Sequence, residues 1–207
     1  MDIVLISDTH GLHKKLTLPE GDMLIHAGDF TRLGGVEEVS LFNEWLLTLP
    51  FTYKIVIAGN HEKSFENQSS LARTILTSCI YLENSGVEIE GIKLWGSPVT
   101  PKFFDWAFNK ERGQEIKFYW DIIPEDVEIL ITHGPPYKIL DFTFAEVYAG
   151  CEELRKKIFE LPNLKLNVFG HIHEGYGTCK INNVTFINAS SLNRHYSTIN
   201  KPLTFSI

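Results

Sequence analysis

The sequence predicts an α/β protein in which helices flank two sheets, and three observations carry that prediction. Short apolar runs rich in Ile, Val and Leu recur along the 207 residues, and most stop abruptly at a polar cluster containing His, Asp or Asn. The runs show no period of two, as expected of strands covered on both faces. Segments with helical spacing lie between several of them.

Taken in order, Ile3 to Ile6 ends in SDTHG and Met23 to Ile25 ends in HAGD. Val36 to Leu49 then sets Val36, Val39, Phe42 or Asn43, and Leu46 three and four apart, with Gly34 and Gly35 before it and Pro50 after, which predicts a helix. Lys54 to Ala58 runs into GNHE, and Val87 to Trp95 (VEIEGIKLW) reads as hairpin-like strands. A second helix is expected over Lys110 to Ile122. Ile129 to Ile131 ends in THGPP, where Pro135 and Pro136 stiffen or terminate the run. A third helix is expected over Cys151 to Phe159, its Glu152, Glu153, Arg155, Lys156 and Lys157 forming a solvated face. Leu166 to Phe169 ends in GHIH, and Val184 to Asn188 is a further hairpin-like strand. With no linker, repeat or low-complexity tract, 1–207 is expected to be one domain.

Composition narrows the function classes. A net charge of -7 excludes an extended phosphate-backbone footprint, although a short nucleotide remains compatible. Cys79, Cys151 and Cys179 are far apart and in no CxxC pattern, so neither a disulfide framework nor a zinc cluster is expected. The start, MDIVLISDTHG, lacks a basic leader, and no segment reaches the roughly 20 apolar residues that span a bilayer. A cytoplasmic protein away from membranes is the expectation.

In open α/β sheets functional groups collect at the carboxyl ends of strands. Five run ends here carry metal-binding side chains: Asp8 and His10; Asp29; Asn60 and His61; His133; and His171 with His173. They hold five of the eight histidines, leaving His13, His26 and His195 elsewhere. A mixed nitrogen and oxygen set without thiolate suits manganese, iron, zinc or cobalt better than calcium. One ion rarely needs so many ligands. Two ions roughly 3.5–4 Å apart, sharing a carboxylate and a water, would use them all, and such a pair hydrolyses phosphate esters. The glycines beside these residues, Gly11, Gly28, Gly59, Gly134 and Gly170, make turns and let backbone approach the ions.

Asp8-x-His10, Gly28-Asp29, Gly59-Asn60-His61-Glu62, His133 and Gly170-His171-x-His173 together resemble, in order and over nearly the whole chain, the five-part signature of the calcineurin-like metallophosphoesterase superfamily. The strings GDFT, IVIAGNHE, THGPP and FGHIHEGYG are similar to its small branch of metallophosphoesterase-domain-containing proteins, related to cyclic-nucleotide phosphodiesterases. The resemblance implies a four-layer α/β/β/α sandwich with the site at the strand ends. It also implies that Asp8, His10 and His173 hold one divalent ion and Asn60, His133 and His171 the other, with Asp29 bridging and manganese the favoured metal. His61 would stay uncoordinated and protonate the leaving oxygen after attack by a metal-bridging hydroxide, and Asn60 would also reach the phosphate.

Two departures stand out. The third block usually ends in Asp, whereas this chain has Glu62, expected to support His61 with altered geometry. Arg32 in GDFTRLGG falls one residue out of register with the phosphate-clamping arginine of phosphoprotein phosphatases. The expected substrate is therefore a small phosphodiester with a nucleotide-like group, ahead of a phosphomonoester, and a non-catalytic scaffold ranks last because His61 is present. His26 is expected in the core or behind the ligands, and His13 and His195 on the surface or in loops, away from the substrate. Among Phe30, Trp95, Phe103, Phe104, Trp106 and Tyr176, mostly core residues, Tyr176 is the preferred stacking partner for a base. Finally, an extended GHIH segment would send both imidazoles to the same side, one to each ion.

Overall fold

The computed structural model describes residues 1–67, 69–197 and 200–207. In chain order the strands and helices are β1 (Asp2–Ile6), β2 (Met23–Ala27), α1 (Val36–Leu47), β3 (Tyr53–Ile57), α2 (Lys63–Asn67), α3 (Ser69–Ile75), β4 (Ile80–Leu82), β5 (Ser85–Ile89), β6 (Ile92–Ser97), β7 (Thr100–Pro101), β8 (Asn109–Lys110), α4 (Gln114–Asp121), β9 (Ile129–Thr132), α5 (Glu152–Glu160), β10 (Leu166–Phe169), β11 (Gly177–Ile181), β12 (Val184–Asn188) and β13 (Leu203–Ser206). Single 3-10 turns lie at His13–Lys15 and His173–Gly175.

Alternation along β1 shows how the layers form. Ile3 and Leu5 pack into an apolar cluster shared with β9, β10 and β12, whereas Val4 and Ile6 join Val39, Phe42 and Leu46 of α1. All four side chains are buried, so neither face is wet and the period-two signal vanishes. On the far side, Leu130, Phe169 and Phe186 pack under Ile116 and Trp120 of α4 and Leu154 and Ile158 of α5. The order is helices, sheet, sheet, helices: the α/β/β/α sandwich.

The first sheet runs β13-β1-β2-β3-β4 and the second β11-β12-β10-β9-β6-β5. Their centres are parallel, β1 beside β2 and β2 beside β3 in one, β6, β9, β10 and β12 in the other. Parallel pairing brings the carboxyl ends of β1, β2 and β3 to one edge of the first sheet, and those of β9 and β10 to one edge of the second. The two edges meet where Ser7 bridges Ser190 and His133 Nδ1 bonds the carbonyl oxygen of Ala27, 2.9 Å away.

Several elements differ from the sequence reading. The helix expected from Lys110 starts only at Gln114, because Asn109–Lys110 pairs with Thr100–Pro101 and Gly113 turns the chain with φ 84°. Helices α2 and α3, too short to show a full apolar stripe, were not anticipated, nor were the antiparallel outer strands β11 and β13. No helix among the described residues is long and apolar enough to cross a membrane. The three cysteines are free thiols.

Candidate metal centre

Each strand carrying a candidate ligand ends in a sharp backbone turn. Asp8, His10, Asp29 and His171 all have positive φ, between 41° and 67°. Such conformations cost about 1–3 kcal/mol each and persist where surrounding structure imposes them. Here the turns aim side chains back across the strand ends. Close approach does the rest: a Cβ at Gly170 would run into Asp8 Oδ2 and Ser7 Oγ, and one at Gly59 into Asp29 Oδ1 and His133 Cε1.

All eight predicted residues converge. Ligand atoms of Asp8, His10 and His173 form one group, those of Asp29, His133 and His171 another, and those of His10, Asp29 and His61 a third, with the atoms of each group within 4.8 Å of one another. Asn60 joins the second group, its Oδ1 2.9 Å from His133 Nε2. Asp29 Oδ2 sits at the centre, 3.3 Å from His133 Nε2, 3.8 Å from His10 Nε2 and 3.9 Å from His61 Nε2.

Orientation comes from main-chain carbonyls. His133 Nδ1–H donates to Ala27, His173 Nδ1–H to Asn193 (3.0 Å) and His61 Nδ1–H to Arg32 (2.7 Å), which turns each Nε2 inward. Tethering Nδ1 in this way fixes ring and tautomer for metal ligation or proton transfer. Asp8 accepts from the His171 amide (3.0 Å) and Ser190 Oγ (2.8 Å), and Asp29 Oδ1 accepts from the His61 amide (2.8 Å).

The electrostatics divide the imidazoles into two kinds. Burial alone would discharge His133 and His173, but the facing carboxylates of Asp29 and Asp8 outweigh it and hold both pKa values up at about 9. Burial wins at His10, pushed down to about 4, and at His171, pushed down to about 3. Asp8 and Asp29 resist burial and lie well below the usual carboxylate range because these histidines face them. His10 is buried with neither ring nitrogen in a hydrogen bond. Such an orphan beside two buried carboxylates is what a divalent cation would satisfy, and the N/O donor set fits manganese, iron, zinc or cobalt.

Four expectations are corrected. Glu62 does not touch the His61 ring. It is fully buried and accepts from the amides of Asp29 (2.9 Å), Thr31 (2.8 Å) and Gly59 (2.6 Å) and from Thr31 Oγ1 (2.7 Å), so both carboxylate oxygens are taken up by the turns after β2 and β3. Burial and the neighbouring Asp29 charge push its pKa up to about 8 against those bonds. The GHIH segment is not extended: His171 is left-handed and His173 opens a 3-10 turn. The two rings still diverge, His171 packing on His133 at 5.1 Å between centroids and His173 near His10 at 5.4 Å. His13 lies in the connection between β1 and β2 but is buried against Phe42 and Trp45 rather than at the surface, since the 3-10 turn folds it onto α1. Tyr176 donates its hydroxyl to the carbonyl of Lys201 and does not line the cleft, because β11 leads it away.

His26 is buried and bonded to Thr9 Oγ1, and His195 is exposed, both as expected. The residues that the sequence did not point to are Tyr196, 4.7 Å from His10 between ring centroids, and Phe144, Arg112 and Arg194, which line a cleft of about 560 Å³ opening from the cluster. They come from irregular loops, where no periodicity marks them. Trp106, by contrast, was in the aromatic group and stacks on His61 at 4.4 Å.

Comparison with known proteins shows the family. The calcineurin-like phosphoesterase family profile matches residues 1–175. The chain is 42% identical to human metallophosphoesterase domain-containing protein 1, the alignment covering 99% of this chain and 70% of that protein. It is 26% identical to a probable glycerophosphodiester phosphodiesterase of Arcobacter nitrofigilis, covering 92% and 78% respectively. In fold it is similar to the TT1561 protein of Thermus thermophilus, with a TM-score of 0.55, 12% identity and coverage of 90% and 88%. The profile match, the 42% identity and the assembled signature together establish that this chain belongs to the calcineurin-like phosphoesterase family.

Proposed function

We propose that the protein is a dinuclear metal-dependent phosphodiesterase. Asp8, His10 and His173 hold one ion, Asn60, His133 and His171 the other, and Asp29 lies between. The observation that carries this reading is Asp29 Oδ2, a single carboxylate oxygen faced by imidazoles of both ligand groups. When bound, the two ions supply Lewis acidity, drawing charge from the phosphoryl oxygens and lowering the pKa of the attacking water. The chain's own groups do the remainder. His61, tethered through Nδ1 and braced by the Trp106 face, turns Nε2 towards the departing alkoxide and, as the imidazolium, gives it the Nε2 proton. Asn60 orients the phosphate through its amide.

Two observations favour a diester. Arg32 is exposed and contributes its carbonyl, not its guanidinium, to the site. The cleft also extends past His171 along Pro101 and Phe103, leaving room for a second ester group. The similarity to a glycerophosphodiester phosphodiesterase points the same way. Arg112 and Arg194 in the cleft favour a phosphomonoester as the second reading. In this reading the partner is a small phosphoester, nucleotides included, rather than an extended nucleic acid or a membrane, and the compartment is the cytoplasm.

The test compares kcat/KM of manganese-loaded protein on bis(p-nitrophenyl) phosphate and p-nitrophenyl phosphate. A diester preference is expected, and a clear monoester preference would replace this reading with the second.

A further inference from the structure

The cleft beside the candidate ligands has a wall that the hydrolysis of a phosphate ester does not itself require. Phe103, Phe104 and Phe144 line it while 43%, 80% and 70% exposed. Aromatic rings left in water at the mouth of a site mark a surface that a ligand covers. Phe103 meets the His171 ring at 5.7 Å between centroids, so the wall begins at the candidate metal ligands themselves.

Phe144 is held in place rather than loose. It sits at the tip of a small hairpin closed by the Phe142 and Tyr148 bridge and by Thr143, whose amide and hydroxyl both donate to the carbonyl of Val147. Its own amide donates to Glu174 Oε1, 3.2 Å away, in the turn that starts with His173. The Arg194 guanidinium lies over the Phe144 ring, 4.4 Å from its centroid, and its Nε–H donates to His195 Nε2. Arg194 follows Asn193, whose carbonyl holds His173. Ring and guanidinium are thus each one step in the chain, or one hydrogen bond, from the loop of a candidate ligand.

A guanidinium plane stacked on a ring presents a flat, polarisable face that takes another ring by stacking. From this geometry we infer that the cleft is a subsite for a flat aromatic ester group of the substrate, selected by the Phe144 and Arg194 platform together with Phe103. The inference rests on the phosphodiesterase reading and adds to it the chemical class of one ester group. Its residues are specificity-determining and leave the bond-breaking step to the cluster.

The test uses titration calorimetry of the manganese-loaded protein with phenylphosphonate and methylphosphonate, which share an anionic head and differ in the ring. Phenylphosphonate is expected to bind at least about fivefold more tightly, the low end of what one ring stacked on an aromatic side chain contributes. Phe144→Ala, at an exposed position where folding is unaffected, should bring the two within about twofold by removing that stacking, while methylphosphonate affinity stays put. Phe144→Trp should keep the preference, and Arg194→Lys, which retains charge but loses the plane, should reduce it. Equal binding by the unmodified protein, or a preference that survives Phe144→Ala, overturns the subsite alone. Failure of both phosphonates to bind overturns the phosphodiesterase reading and the subsite with it.

Discussion

His61 and Asp29 differ in what they hold, and two substitutions separate them. His61→Ala should leave metal content near that of the unmodified protein while lowering turnover on diesters with poor leaving groups by about 10² to 10⁴. Nitrophenolate needs little protonation, so its release should suffer less, and an equal loss on both would remove His61 from the role of acid. Asp29→Asn should reduce bound metal below two per chain, as read by elemental analysis. In the metal-free variant, the Asp29 charge is gone while Asp8 and the Ala27 carbonyl still favour the protonated ring, so the His133 pKa should drop from about 9; imidazole NMR checks this. The five blocks were readable because each ligand type sits at a run end. The role of Glu62 was not, because sequence shows an acid next to His61 but not that its bonds go to the Asp29, Thr31 and Gly59 amides.

At the scale of elements, α1 and the turn before β2 form a unit around a buried histidine. His13 packs on Phe42 and Trp45, and burial pushes its pKa down to about 4. Its folded pKa lies below the unfolded one, so between the two the unfolded chain binds the extra proton and stability falls as pH drops from about 6.5 towards 4. His13→Leu should therefore lose less stability than the unmodified protein on going from pH 7 to 5, by roughly 1–2 kcal/mol in urea melts. An unchanged pH slope would mean that the ring is reached by water. The same burial explains which elements were legible. Strands buried on both faces announce themselves as apolar runs, and α1 shows its stripe through Val39, Phe42 and Leu46. β11 alternates partly exposed residues, and α2 is five residues long, so neither carries enough signal.

Across the whole molecule, the cluster is the seam between two sheets, with Asp8, Asp29 and Asn60 from one and His133, His171 and His173 from the other. Ions held there would bind the folded state and not the unfolded chain. Chelation of both ions should accordingly lower Tm by roughly 11–22 °C relative to protein with each site saturated at a hundredfold excess over Kd, measured by calorimetry. No shift on chelation would mean that the sheets are not linked through metal. The seam also has a consequence in time. Asp8 and the amide of His171 that it grips are 163 residues apart in the chain. At ordinary rates of translation, roughly 10 to 30 seconds separate the synthesis of one from the other. During that interval the growing polypeptide carries a carboxylate destined for burial with nothing yet to neutralise it, so the first sheet must wait, partly hydrated, for its counterpart to leave the ribosome.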